Sequence, residues 1–174
     1  MFLEFYTIIN LKLKKMSINI FEPATVGSIK LNNRIAMAPM TRARNADGIP
    51  NNNTALYYSQ RSGAGLIVTE GTAISETSKG VLYIPGLYEE KQIEGWKKVT
   101  EAVHKKGSKI FTQLWHVGRV SHTSIQPNGQ QPVGASDIQA ADSKAFGYNE
   151  NGNADFVTCS KPRALQTDEV KEII

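Results

Sequence analysis

Cysteine is almost absent: Cys159 stands alone among 174 residues, which excludes an internal disulfide and fits a reducing compartment. A nucleophilic thiol would need a histidine and a third partner beside it, so Cys159 is expected to be an ordinary loop thiol. Long apolar runs are also lacking. The amino-terminal stretch Met1–Lys15 comes nearest, but Glu4 and Asn10 break it and it is too short to span a bilayer. It is apolar first and basic last, the reverse of a secretory leader, with no small-residue cleavage site. No basic stripe with interleaved aromatics occurs, so the excess of 20 basic over 16 acidic residues is no nucleic-acid footprint. With no targeting signal in view, a cytoplasmic location is expected.

What remains is a chain with 40% hydrophobic residues, enough for one domain with a substantial core. Met16 opens a clean MSINIFEP start, so residues 1–15 are expected to be an extraneous extension and 16–174 the domain. Two short extended segments, Val26–Lys30 and Leu31–Met37, predict a hairpin turning around Asn32-Asn33. Thr54–Arg61 predicts a helix with Asn53 or Thr54 as N-cap and Gly63 as terminator. Leu66–Thr72 is a continuous apolar run, as in a strand buried on both faces. Glu89–Lys106 carries Ile93, Trp96, Val99 and Val103 at helical spacing, with acids first, lysines last and Gly107 beyond. Lys109–Trp115 is the next strand. Strands alternating with helices through short links imply right-handed crossovers and a parallel sheet.

From His116 to Pro162 the chain is rich in Gly, Pro, Ser, Asn and Gln, a length that implies a functional loop or one with its own hairpin. Thr167-Asp168-Glu169 then predicts a helix start, with Val170, Ile173 and Ile174 beginning an apolar stripe. Three to four strand–helix units are visible, whereas a closed eight-stranded barrel takes roughly 250 residues. The fold class is therefore α/β, as a small open sheet or part of a barrel.

The chemistry gathers at strand ends. Ile35–Arg42 reads IAMAPMTR; Pro39 cannot donate to a sheet ladder, so the strand should stop and present Met40 and Thr41 at its carboxyl end. Glu70-Gly71-Thr72 closes the second strand and Gln113-Leu114-Trp115-His116 the third. Parallel strands put all of these at one rim, where α/β enzymes hold their ligands. A glutamine amide offers one acceptor and paired donors, the complement of a ring N–H and adjacent carbonyl on a flavin's pyrimidine edge. A hydroxyl such as Thr41 can donate to the carbonyl beside the redox-active nitrogen, and Gly71 allows close backbone approach. A strand-end amide and a capping hydroxyl would explain Gln113 and Thr41 equally well on these grounds alone.

The strings FEPATVGSIKLNNRIAMAPMTRAR, LIVTEGTAIS, PGLY, EGWKKVTEAVHKKG, FTQLWHVGRVSHTSIQPNGQQPVGAS and PRAL, in this order, closely resemble the amino-terminal half of the old yellow enzyme family. The branch most similar is the bacterial one related to N-ethylmaleimide and nitrate-ester reductases. The resemblance covers about Ile20 to Ile174, and APMTR and QLWHxGRxSH are highly specific.

It implies an FMN-dependent, NADH- or NADPH-driven reductase on an eight-stranded barrel, acting on carbon–carbon double bonds conjugated to carbonyl or nitro groups. Ala38, Pro39 and Met40 would line the flavin, Thr41 would bond a ring carbonyl, Gly71 would lie beside the ring, and Gln113 would grip its pyrimidine side. Trp115, with Thr41, matches the substrate pocket. Many relatives carry a tyrosine directly after the glycine of Lys79-Gly80; here it is Val81, with Tyr83 two positions on. The family's substrate-binding histidine pair, proton-donating tyrosine and phosphate-holding groups fall beyond Ile174, so no catalytic residue is assigned in this chain. His104, His116 and His122 are read as structural. Two expectations follow: the amino-terminal part of an ene reductase that needs further strands, or a non-catalytic fragment without independent activity. In either case open barrel edges favour self-association.

Overall fold

The computed structural model describes residues 19–173; the expected extension 1–15 and Ile174 of the last apolar stripe lie outside them. Its centre is a three-stranded sheet in which β3 (Ala36–Met37), β4 (Leu66–Ala73) and β5 (Lys109–Trp115) run parallel in the order β3-β4-β5. The first strand does stop short of Pro39, ending at Met37. Helix α1 (Asn52–Ser59) joins β3 to β4, and α2 (Glu90–His104) joins β4 to β5. Both helices pack on one face of the sheet. Tyr58 of α1, Ile67 of β4 and Trp96, Val99 and Val103 of α2 form the buried core there, with Met37 and Ile110 against it. Burying such side chains contributes on the order of 1.5–3 kcal/mol each.

The stripe on α2 differs from expectation by one position. Gln92, Trp96, Val99 and Val103 face inward, whereas Ile93 is 37% exposed. Gln92 is tolerated inside because its Oε1 accepts from the Tyr88 and Glu89 amides at 2.9 and 3.2 Å, which caps the helix. The indole of Trp96 donates to Gly86 O at 3.0 Å, so its polar edge is also satisfied. Gly107 takes φ +84° past the end of α2, the left-handed position expected of it.

Helix α1 begins earlier than its spacing predicts. Asn51 is the cap, its Oδ1 accepting from the Asn53 and Thr54 amides, and the helix ends into Gln60, three residues before Gly63. An asparagine ahead of Asn52 and Asn53 caps as well as either, and three in a row hide which one does so.

The hairpin also turns elsewhere. β1 (Ala24–Val26) pairs antiparallel with β2 (Ile29–Leu31) across Gly27-Ser28, with Gly27 at φ +58°. Asn32 and Asn33 instead tie this hairpin to the amino-terminal ends of the inner strands. Asn32 Nδ2 donates to Gly107 O at 3.0 Å and Asn33 Nδ2 to Gly63 O at 2.8 Å. Asn33 Oδ1 accepts from the Ile35 and Gly65 amides at 3.0 and 2.8 Å.

The excursion after β5 contains its own hairpin, β7 (Lys144–Tyr148) antiparallel to β8 (Ala154–Thr158), and a short parallel pair, β6 (Val133–Gly134) with β9 (Arg163–Ala164). Cys159 is buried beside this hairpin with Ala140 and Ala145, and burial raises its thiol pKa, as befits an inert thiol. A final turn, α3 (Val170–Ile173), follows Glu169, which holds Arg163 through both guanidinium nitrogens. No helix among the described residues is long and apolar enough to cross a membrane.

Asn33 ties the start of β3 to the segment 63–65 before β4, at the end of the sheet away from Thr41. Asn33→Ala is expected to lower unfolding free energy by about 1–3 kcal/mol, the cost of leaving amides unpaired. Denaturant titration followed by far-UV circular dichroism measures it; a loss under about 0.5 kcal/mol would show that water replaces these bonds.

Candidate functional site

The parallel order brings the three strand ends to one rim, and a bulge decides which residues face inward there. Val68 pairs with Phe111 and Gly71 with Gln113, so β4 spends three residues where β5 spends two. Side chains alternate along a strand, so an odd spacing would put Val68 and Gly71 on opposite faces. The extra residue restores the phase, and Val68, Gly71 and Ala73 share the face of Phe111, Gln113 and Trp115. That face is opposite to Ile67 and Ile110, which pack against the helices.

A bulge frees backbone groups that need partners. The Glu70 amide donates to Tyr58 Oη at 2.8 Å, and the Gln113 amide donates to Thr69 Oγ1 at 3.1 Å. The Thr69 and Thr72 hydroxyls both donate to Glu70 O, at 2.9 and 3.0 Å. All of Tyr58, Thr69, Glu70 and Thr72 are buried. Burial drives the Tyr58 phenol well above its ordinary pKa, so it stays a neutral donor and acceptor.

Glu70 was legible only as the polar end of a strand; its place in the site was missed. Its side chain is 1% exposed, and Oε2 accepts from the Arg42 and Ala43 amides at 2.8 and 3.1 Å. The signal was in the sequence, since a carboxylate inside LIVTEGT must find hydrogen-bond donors when the strand is buried. Burial raises its pKa, while the two amides and the nearby Arg42 and Arg44 act in the opposite sense. A cavity of about 180 Å³ lies beside it, lined by Arg42, Arg44, Asn53, Thr54, Tyr57 and Glu70. Arg42 stacks over Tyr57 at 5.1 Å from the ring centre.

This clamp links the loop after β3 to the end of β4. Ala38, Pro39, Met40 and Thr41 lie on that loop, all exposed, with Met40 46% so. Thr41 directly precedes the clamped Arg42, and Glu70 directly precedes Gly71, which pairs with Gln113. Among the described residues, no hydrogen bond engages the Thr41 hydroxyl or the Gln113 side-chain amide; both are exposed. Neither is therefore consumed as a cap among the described residues.

Gly71 serves a neighbour. A Cβ built there would lie 1.8 Å from Trp115 Cε3 and 2.5 Å from Cζ3, so the indole rests on the bare backbone of β4. Trp115 is half-buried and also borders a groove of about 620 Å³ that includes Leu114, His116, Val133 and Glu169. The histidines take structural positions. His104 ends α2, His122 Nδ1 accepts from the Ser124 amide at 3.1 Å, and His116 Nδ1 accepts from the Gly118 amide at 3.0 Å. Burial lowers the His116 pKa, which keeps that acceptor nitrogen unprotonated. Tyr83 lies at φ +65° with its ring edge-on to Phe146, centroids 6.3 Å apart. No group of three or more His, Cys, Asp or Glu able to hold a metal occurs among the described residues.

Residues 19–174 match the model of the NADH:flavin oxidoreductase / NADH oxidase family. Putative 12-oxophytodienoate reductase 2 of Oryza sativa subsp. japonica is 42% identical over 162 residues, 92% of this chain and 40% of that protein. Morphinone reductase, solved in complex with tetrahydroNAD, superposes with a TM-score of 0.87 at 48% identity, covering 90% of this chain and 43% of that one. An old yellow enzyme homologue from Zymomonas mobilis gives a TM-score of 0.81 at 38% identity, covering 90% and 42%. The chain thus spans about two fifths of the length of these relatives. The family match over residues 19–174, with close structural likeness to morphinone reductase, places the chain in the NADH:flavin oxidoreductase family of old yellow enzymes, as its amino-terminal portion.

Proposed function

We propose that residues 16–174 form the amino-terminal part of an FMN-binding barrel that reduces activated carbon–carbon double bonds with NADH or NADPH. One observation carries this: an unengaged hydroxyl and an unengaged amide, Thr41 after β3 and Gln113 near the end of β5, flank the carboxyl end of β4 and are coupled through its Glu70. The donor set fits a flavin, because Gln113 supplies both an acceptor and donors for the pyrimidine edge and Thr41 a donor for a ring carbonyl. When bound, FMN would supply hydride transfer between the nicotinamide and the alkene.

The chain's own part is binding and orientation. Ala38, Pro39 and Met40 give an apolar shelf, Gly71 and Trp115 set the surface next to it, and Trp115 with Thr41 borders the substrate. By family resemblance, substrate binding through a histidine pair and proton donation fall to parts of the barrel outside the two fifths that this chain spans. A small conjugated enone or nitroalkene is the substrate class that the family membership supports.

A second reading has support from one feature. On β5, an outer strand of the sheet, Phe111 is 48% and Leu114 63% exposed, surfaces that further barrel strands or a second copy would cover. In that reading the chain alone is inactive and self-associates.

Titration of the purified chain with FMN and with riboflavin, followed by visible absorbance, separates the two readings. The contacts assigned here touch only the ring, so both flavins are expected to bind with dissociation constants within about threefold. Thr41→Val combined with Gln113→Ala should weaken both by roughly tenfold or more, from lost hydrogen bonds. A colourless, aggregating chain that takes up neither flavin would support the second reading.

Trp115 offers a test that needs no flavin. Gly71→Ala is expected to dislodge the indole and cost about 1–3 kcal/mol, as overpacking does. In a Trp96→Phe background, a shifted Trp115 emission maximum checks it; an unchanged spectrum would show that the two do not touch.

A further inference from the structure

We propose that Glu70 is a positioning residue for the flavin edge, its carboxylate holding the loop after β3 so that Thr41 faces the ring. The inference rests on the flavin reading above and names a residue that reading does not require. Glu70 lies at the one place where β4 carries an extra residue. The same bulge that phases Gly71 with Gln113 turns its side chain toward the neighbouring loop and its amide toward Tyr58. Five bonds then fix it: Tyr58 Oη on its nitrogen, the Thr69 and Thr72 hydroxyls on its carbonyl, and the Arg42 and Ala43 amides on Oε2, the last two shared by one oxygen.

The receiving loop needs such a hold. Ala43 sits at φ +52°, a conformation an alanine adopts only when its surroundings impose it. Pro39 removes one backbone donor, and β3 ends at Met37. Residues 38–41 therefore have no ladder to hold them, and the first amides past Thr41 are the ones Glu70 takes. A charged acceptor makes bonds about twice as strong as a neutral one, and burial at 1% exposure keeps water from competing. Tyr58 belongs to the core with Trp96, Val99 and Val103, so the position of Thr41 is referred through Glu70 to the rigid packing of both helices.

The test compares Glu70→Ala, Glu70→Gln, Thr41→Ala and the double variant Thr41→Ala/Glu70→Ala. The readouts are FMN affinity by absorbance titration and amide hydrogen exchange of Arg42 and Ala43 by NMR. Glu70→Ala should weaken FMN binding and speed exchange of both amides, each about tenfold. Glu70→Gln retains an acceptor and should recover both to within about threefold of wild type. Because Glu70 acts through Thr41, the double variant should bind FMN no worse than the weaker single variant. If Glu70→Ala does not fold, Glu70→Gln decides: a threefold loss confined to this loop supports the role. FMN affinity within about twofold of wild type for folded Glu70→Ala, additive losses in the double variant, or, where only Glu70→Gln folds, unchanged FMN affinity and unchanged exchange of the Arg42 and Ala43 amides, would overturn it. A wild-type chain that binds neither FMN nor riboflavin would overturn the flavin reading itself, and this role with it.

Discussion

One extra residue in β4 is the constraint from which the rest of the rim follows. Without it, Gly71 would share a face with Ile67 and point into the helices, and Trp115 would have no bare backbone to rest on. With it, the ladder must leave groups unpaired, and the structure pairs them again with side chains: Thr69 for the Gln113 amide, Tyr58 for the Glu70 amide. Each substitute is buried, so each is a requirement. A buried donor left without an acceptor costs about 1–3 kcal/mol, a large share of a small domain's stability.

The two ends of the sheet are stabilised by different chemistry. At the amino-terminal end, Asn32 and Asn33 tie strand starts together with neutral amide bonds that a ligand would never meet. At the carboxyl end, the bonds radiate from a buried carboxylate, and the groups left unbonded are those facing the open rim. The asymmetry has the form expected of a parallel α/β sheet, in which loops at one end fix the scaffold and loops at the other meet the ligand. His116 and His122 conform to it, since both spend Nδ1 on nearby backbone amides and neither is free to act as a base.

Much of this was legible in the sequence because it is local. Pro39 ends a strand wherever it stands, and the β4 and β5 spans follow from apolar runs bounded by turns. The rim followed from parallel order alone, so Thr41, Gly71 and Gln113 could be named before their neighbours were known. Three features were not legible. The bulge leaves no mark in LIVTEGT, because a run apolar on both faces has no alternation whose break could be seen. The role of Gly71 depends on a side chain 44 positions away, and glycine signals only that something comes close. The turn at Gly27-Ser28 is masked by Asn32-Asn33, because paired asparagines are strong turn formers, and here they bond across the sheet instead.

The exposed inner face gives the site its remaining physical meaning. Phe111 and Gln113 lie two residues apart on the same face of β5, the first 48% exposed and apolar, the second exposed and polar. A flat conjugated ring with a hydrogen-bonding edge satisfies such a pair better than water does, since water bonds the amide but gains nothing from the apolar surface. Covering strands would satisfy Phe111 and leave Gln113 buried without a partner, at the cost of an orphaned amide. The two demands meet only if strands close over the deeper, apolar part of the face while a polar-edged ligand fills the rim. Closure of the sheet and occupation of the rim are on this argument complementary, each leaving unsatisfied the residue that the other serves.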